Sequence, residues 1–202
     1  METTLASPNA DAAAPLAQAA TSAASQPPPE DTRQRCFAPV VDGRTRLLIL
    51  GSLPGVQSLA KAQYYGNRQN AFWRLMSEVL ERDLVGLDYA ARLQALLAQG
   101  VGLWDVVAEA RRAGSLDSAI RQRDDNDLPA LLARYPAIQT IGFNGGMAAK
   151  LGLKILGVRA AHYHIVALPS SSPAYTLPYA EKCLHWQKLK WPLQEANHRS
   201  GA

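Results

Sequence analysis

Cysteine is scarce in this chain: the only two, Cys36 and Cys183, are too few for a disulfide framework and suit a reducing compartment. Long hydrophobic runs are missing as well, so no stretch has the length of a membrane span. The first residues carry neither early basic side chains nor the apolar centre of a secretion signal. These absences predict a cytoplasmic protein with no membrane contact. Metal-binding patterns are also wanting. His162 and His164 alternate along one segment and have Cys183 and His185 as conceivable co-ligands, but the spacing matches no standard zinc framework. The expectation is a chemistry without metal.

What the chain does have is distributed unevenly. Residues 1–35 are rich in Ala, Ser, Pro and Gln and poor in large apolar side chains. Such a segment cannot bury enough surface to offset its ordering entropy, which predicts a disordered tail. It carries a net charge of −2, so the +4 of the whole chain leaves +6 on residues 36–202. The basic remainder is compatible with a polyanionic partner. A single folded domain over 36–192 and a flexible end over 193–202 complete the expected organisation.

Four short apolar runs bounded by turn residues predict buried strands: Arg46–Leu50, Val101–Val107, Ile138–Phe143 and His164–Leu168. Helical spacing of apolar residues falls between and after them, over Asn70–Arg82, Tyr89–Leu97, Leu128–Arg134 and Gly146–Leu153, with a last helix over Pro178–Lys190. Alternation of this kind predicts an α/β fold, a three-layer α/β/α sandwich on a short central parallel sheet of about four strands.

The unusual residues follow the strands. Gly51-Ser-Leu-Pro-Gly55 comes after the first, Asp105 lies in the second, Asn144-Gly-Gly146 follows the third, and Pro169–Thr176 with three consecutive serines follows the fourth. In parallel sheets the loops beyond the carboxyl ends of the strands meet in one crevice. Each motif has a plainer reading beside its functional one. Gly51–Gly55 lacks the spacing and lysine of a phosphate loop and also serves as a tight turn. Asn144 either binds an anion with its neighbouring amides or caps the next helix. Asp105 either activates water or closes a strand, and Asn70 is equally a helix cap. The serine loop offers hydroxyls and amides suited to phosphates, or is a Ser/Pro turn. Tyr64 and Tyr65, in a loop, are candidates for stacking on a flat base.

Taken together, Gly51-Ser-Leu-Pro-Gly55, Gln63-Tyr-Tyr-Gly66, Asn70-Ala-Phe-Trp73 and Leu168-Pro-Ser-Ser-Ser-Pro173 resemble the uracil-DNA glycosylase superfamily over roughly residues 36–192. The branch most similar is that of the hypoxanthine-DNA glycosylases. The resemblance implies an enzyme that flips a deaminated base out of DNA and hydrolyses its N-glycosidic bond without metal or cofactor, acting as a monomer. It implies catalysis by Asn70 with Ser52 beside it. It implies a base pocket of Gly51, Leu53, Pro54, Tyr65, Phe72 and Asn144. Ser170, Ser171, Ser172, Pro173 and Tyr175 would grip the backbone and supply the wedge, for which Ser172, Pro173, Ala174 and Tyr175 all qualify. Two positions depart from the uracil enzymes: Leu53 replaces the Asp or Asn that positions water, and Leu168 replaces a His or Asn. Both changes are typical of the hypoxanthine branch. Rival readings are a uracil or xanthine glycosylase, a lesion-binding module without activity, and a small-nucleotide hydrolase.

Overall fold

The computed structural model describes residues 33–190, 192 and 193. Most of the expected N-terminal tail and C-terminal end lies outside these residues.

Leu47, Leu48, Ile49 and Leu50 are all buried, because the strand they form (β2, Leu47–Gly51) runs through the middle of a sheet covered on both faces. It pairs in parallel with β3 (Val101–Asp105) on one side and β6 (Thr140–Asn144) on the other, and β6 pairs in parallel with β7 (His164–Leu168). The order is β3-β2-β6-β7, the four-stranded parallel sheet expected. Successive side chains of β2 point to opposite faces. Leu47 and Ile49 join Phe72, Leu75, Met76 and Leu96 from α2 (Phe72–Leu80) and α3 (Tyr89–Ala98), with Trp186 of α6 (Tyr179–Trp186). Leu48 and Leu50 join Leu128 and Leu132 of α4 (Leu128–Arg134) and Leu151 of α5 (Gly146–Leu156). Two cores, one on each side of one sheet, make the α/β/α sandwich.

Several boundaries differ from expectation. The run Val101–Val107 is not one strand: it breaks at Val106, and β4 (Val107–Arg111) leaves for a second, antiparallel sheet of order β1-β4-β5. β1 (Arg33–Arg35) and β5 (Arg121–Asp125) are wholly polar and mostly exposed, so neither carries an apolar signal. Because β1 pairs with β4, the folded unit includes residues 33–35, which composition had placed in the tail. At the other end Leu193 is buried in the core rather than free. The short helix α1 (Val56–Lys61) was not foreseen. α2 starts at Phe72 rather than Asn70, and Pro178 precedes the last helix instead of entering its first turn.

Candidate active site

The loops beyond β2, β3, β6 and β7 meet around one cleft of about 430 Å³. That volume lies in the range of small-molecule pockets. Gly51 ends β2 opposite Asp105 of β3. A Cβ on Gly51 would lie 2.5 Å from Asp105 Oδ1 and 3.4 Å from Tyr65 Oη, so only glycine lets these two side chains close on the strand end.

Tyr65 lines the cleft in the left-handed conformation, φ 54°. Phe72 stacks on its ring at 3.7 Å and 11°. Phe72 itself is fully buried, packed edge-on against Trp73 and Trp186, and does not line the cleft. Its expected place in the base pocket is therefore corrected: it backs Tyr65. Tyr64 turns the other way and is buried, with its hydroxyl on the carbonyls of Phe37 and Ala38. Burial, then the charge of Asp105, raises the Tyr65 phenol, with Asn144 acting in the opposite sense.

Asn70 precedes Ala71, the residue at the N-cap of α2, and its side chain turns back on the start of that helix. Its Oδ1 accepts the Phe72 N–H at 3.0 Å, just ahead of α2, and its side chain reaches the cleft. That bond fixes which end of the carboxamide faces where. The Nδ2 has no hydrogen-bond partner among the described residues.

Asn144 does not cap α5; Gly145, at φ 104°, stands at that position. Instead Asn144 and Ser171 hold each other, Nδ2 donating to Ser171 Oγ and Oδ1 accepting Ser171 N–H, both at 2.8 Å. Ser171 is thus buried and faces inward, which corrects its expected role on a DNA backbone; Ser170 and Ser172 remain partly exposed. Ala71 N–H donates to Ser171 O, joining the serine loop to the segment bearing Asn70. From behind, Lys182 of α6 donates to the carbonyls of Ser172 and Tyr175, and Trp186 Nε1 to that of Pro169. Pro173 and Tyr175 are exposed at the rim, and Tyr175 is the large side chain there.

The opposite wall comes from the β4–β5 hairpin. Arg112, 1 % exposed, donates to the carbonyls of Leu53 and Pro54 and to Gln34 Oε1. Ser52, expected beside the chemistry, donates its hydroxyl to Asp117 Oδ1 at 2.6 Å and is held as a structural partner. Ser115 Oγ accepts the Val56 N–H, and Ser115, Leu116 and Asp117 line the cleft. Leu53 and Pro54 are buried along the same wall. Nothing in the sequence pattern marked Arg112 or Asp117, since their partners are backbone carbonyls and a serine far along the chain.

Asp105 sits at the floor, 4 % exposed, and its Oδ2 has no hydrogen-bond partner among the described residues. Burial pushes its carboxyl up to about 7, Arg112 pulling it down and Asp117 pushing it up. No group of three or more His, Cys, Asp or Glu side chains among the described residues is arranged to hold a metal ion.

Known proteins resemble this chain in sequence and in fold. The family model for the uracil DNA glycosylase superfamily matches residues 38–199. A hypoxanthine DNA glycosylase of Methanosarcina barkeri is 39% identical over 142 residues, covering 70% of this chain and 88% of that protein. Its counterpart from Methanosarcina acetivorans is 40% identical over 141 residues, covering 70% and 87%. The solution NMR structure of a candidate uracil DNA glycosylase from Methanosarcina acetivorans superposes with a TM-score of 0.72 at 36% identity, over 81% of this chain and 99% of that one.

Proposed function

This chain belongs to the uracil DNA glycosylase superfamily, and we propose from that membership and the cleft that it releases hypoxanthine from deoxyinosine in DNA, leaving an abasic site. The observation that carries the reading is the cleft itself: an aromatic wall, an anchored carboxamide and a serine loop, in a chain about 40% identical to two hypoxanthine DNA glycosylases over most of their length.

A base rotated out of the duplex enters the cleft and lies on the face of Tyr65 that Phe72 leaves open. Extrusion costs a few kcal/mol and least for a poorly paired base, which supplies part of the selectivity. Asn70 acts through its Nδ2, a donor that the bond from the Phe72 amide to Oδ1 holds in one orientation. A donor fixed before the reaction stabilises charge that gathers on the departing base and costs no reorganisation when the bond breaks. Leu53 offers no polar group to a water, so the sugar's oxocarbenium character is met by positioning and electrostatics. No lysine lines the cleft among the described residues, and Lys182 Nζ is bonded to two loop carbonyls. The product is accordingly an abasic site in an intact strand. The serine loop and Tyr175 hold the opened backbone, the protein working as a cytoplasmic monomer.

Duplexes carrying one hypoxanthine, uracil or xanthine, treated with alkali after incubation, test this. Breakage at hypoxanthine that depends on alkali is expected. Retention of every duplex without cleavage would leave a binding module, and cleavage of uracil alone would overturn the base assignment. Asn70→Ala is expected to lower the rate by about 10²–10³-fold, the cost of removing one preorganised donor, with DNA affinity kept. Full activity in that variant would leave Asn70 only its structural bond to the start of α2.

A further inference from the structure

Two carboxyls line the cleft, and the scheme above uses neither: Asp117 is tied to the Ser52 hydroxyl, whereas Asp105 keeps an oxygen without a hydrogen-bond partner among the described residues. It is held at the end of β3 against Gly51, whose missing side chain makes room for it. Native proteins rarely leave a buried polar atom unpartnered, and an orphan facing a cleft marks a ligand-binding or reacting group. Tyr65 Oη, also buried, lies against the same Gly51 position.

We propose, building on the hypoxanthine reading, that Asp105 is a catalytic acid, donating its proton to a ring nitrogen of the departing purine. The charged and titratable groups around it are Arg112 and Asp117 of the β4–β5 hairpin, Tyr64 and Tyr65 before α2, and Cys36 beyond β1. The guanidinium of Arg112 is committed to the carbonyls of Leu53 and Pro54 and to Gln34, so it forms no ion pair with the carboxylate. Dry surroundings without a paired cation favour the neutral acid, and a neutral carboxylic acid has a proton to give. In the step, the bond between C1′ and N9 breaks and its electron pair moves into the purine. The Asp105 proton goes to a ring nitrogen, so hypoxanthine leaves neutral. Water adds to C1′, and the proton it loses restores the Asp105 acid. Tyr65 Oη is placed to donate to the same base.

The test is the single-turnover rate of hypoxanthine release from pH 5 to 9, for the wild type and for Asp105→Asn, which keeps the shape but has no acidic proton. The wild type is expected to be level in acid and to fall about tenfold per pH unit above a midpoint near 7. Asp105→Asn is expected to be slower by about 10²–10⁴-fold, to lack that limb, and to bind the duplex as before. A variant as fast as wild type, a variant keeping the limb, or a wild-type rate that rises with pH would each overturn the proposal. If the variant fails to fold, the wild-type profile alone decides, since a rate level through pH 6–8 refutes it. A wild type that releases no hypoxanthine at any pH overturns the functional reading, and this proposal with it.

Discussion

At the scale of single residues, the site works by taking away alternatives. Gly51 is glycine because a methyl group would overlap Asp105 Oδ1. Gly51→Ala is therefore expected to cost about 1–3 kcal/mol, as overpacking does, and to cut base release; thermal unfolding and a release assay read both. Asp105 gives a sharper test through pH. Its folded pKa, about 7, lies above the ordinary value of 3.8. Between those values the folded protein binds more protons than the unfolded one, so this residue's contribution falls as pH rises from about 4 to 7. Asp105→Asn carries no such penalty. The variant is expected to melt above the wild type at pH 8, with the gap closing towards pH 4. Each pH unit across that window is worth about 1.4 kcal/mol, and equal melting differences at both pH values would contradict the buried, unpaired carboxyl.

Among the elements, two act as clamps on the cleft loops. α6 presses on the serine loop through Lys182, whose burial lowers its pKa. Lys182→Met keeps the apolar stem and deletes both bonds. It is expected to cost about 1–3 kcal/mol and to quicken amide exchange in residues 170–175 while α2 is unchanged. The β4–β5 hairpin presses on Leu53 and Pro54 through Arg112, and Arg112→Met strands their two carbonyls. About 2–4 kcal/mol is the expected loss in denaturant unfolding. These elements also show where pattern reading stops. β2 was legible because a strand buried on both faces must be apolar throughout. β5, Arg-Gln-Arg-Asp-Asp, was not, because its whole surface is exposed and its place is set by pairing with β4. The break at Val106 was equally hidden: apolar residues resume directly after Asp105, so Val101–Val107 reads as one run across the point where the chain changes sheets.

For the whole molecule, the sequence charge of +6 on residues 36–202 and the exposed rim predict binding dominated by phosphates. Affinity for duplex is expected to fall linearly in log–log terms with added salt, the slope counting the phosphates neutralised. A salt-independent affinity would argue against the backbone grip. The sequence by itself determined the parallel sheet, the helices on both faces and the four loops that converge, since all follow from where large apolar side chains must hide. It also determined the family, through motifs that only a shared site explains. Tertiary structure decided the work done inside the site. Phe72 supports the aromatic wall from behind it, Asn144 and Ser171 hold each other, and Ser52 is tied to Asp117. Tertiary structure likewise made Asp105 a buried carboxyl whose Oδ2 has no hydrogen-bond partner among the described residues. Hydrogen-bond partners and burial depend on what distant segments bring within a few ångströms, and no spacing along one chain encodes that.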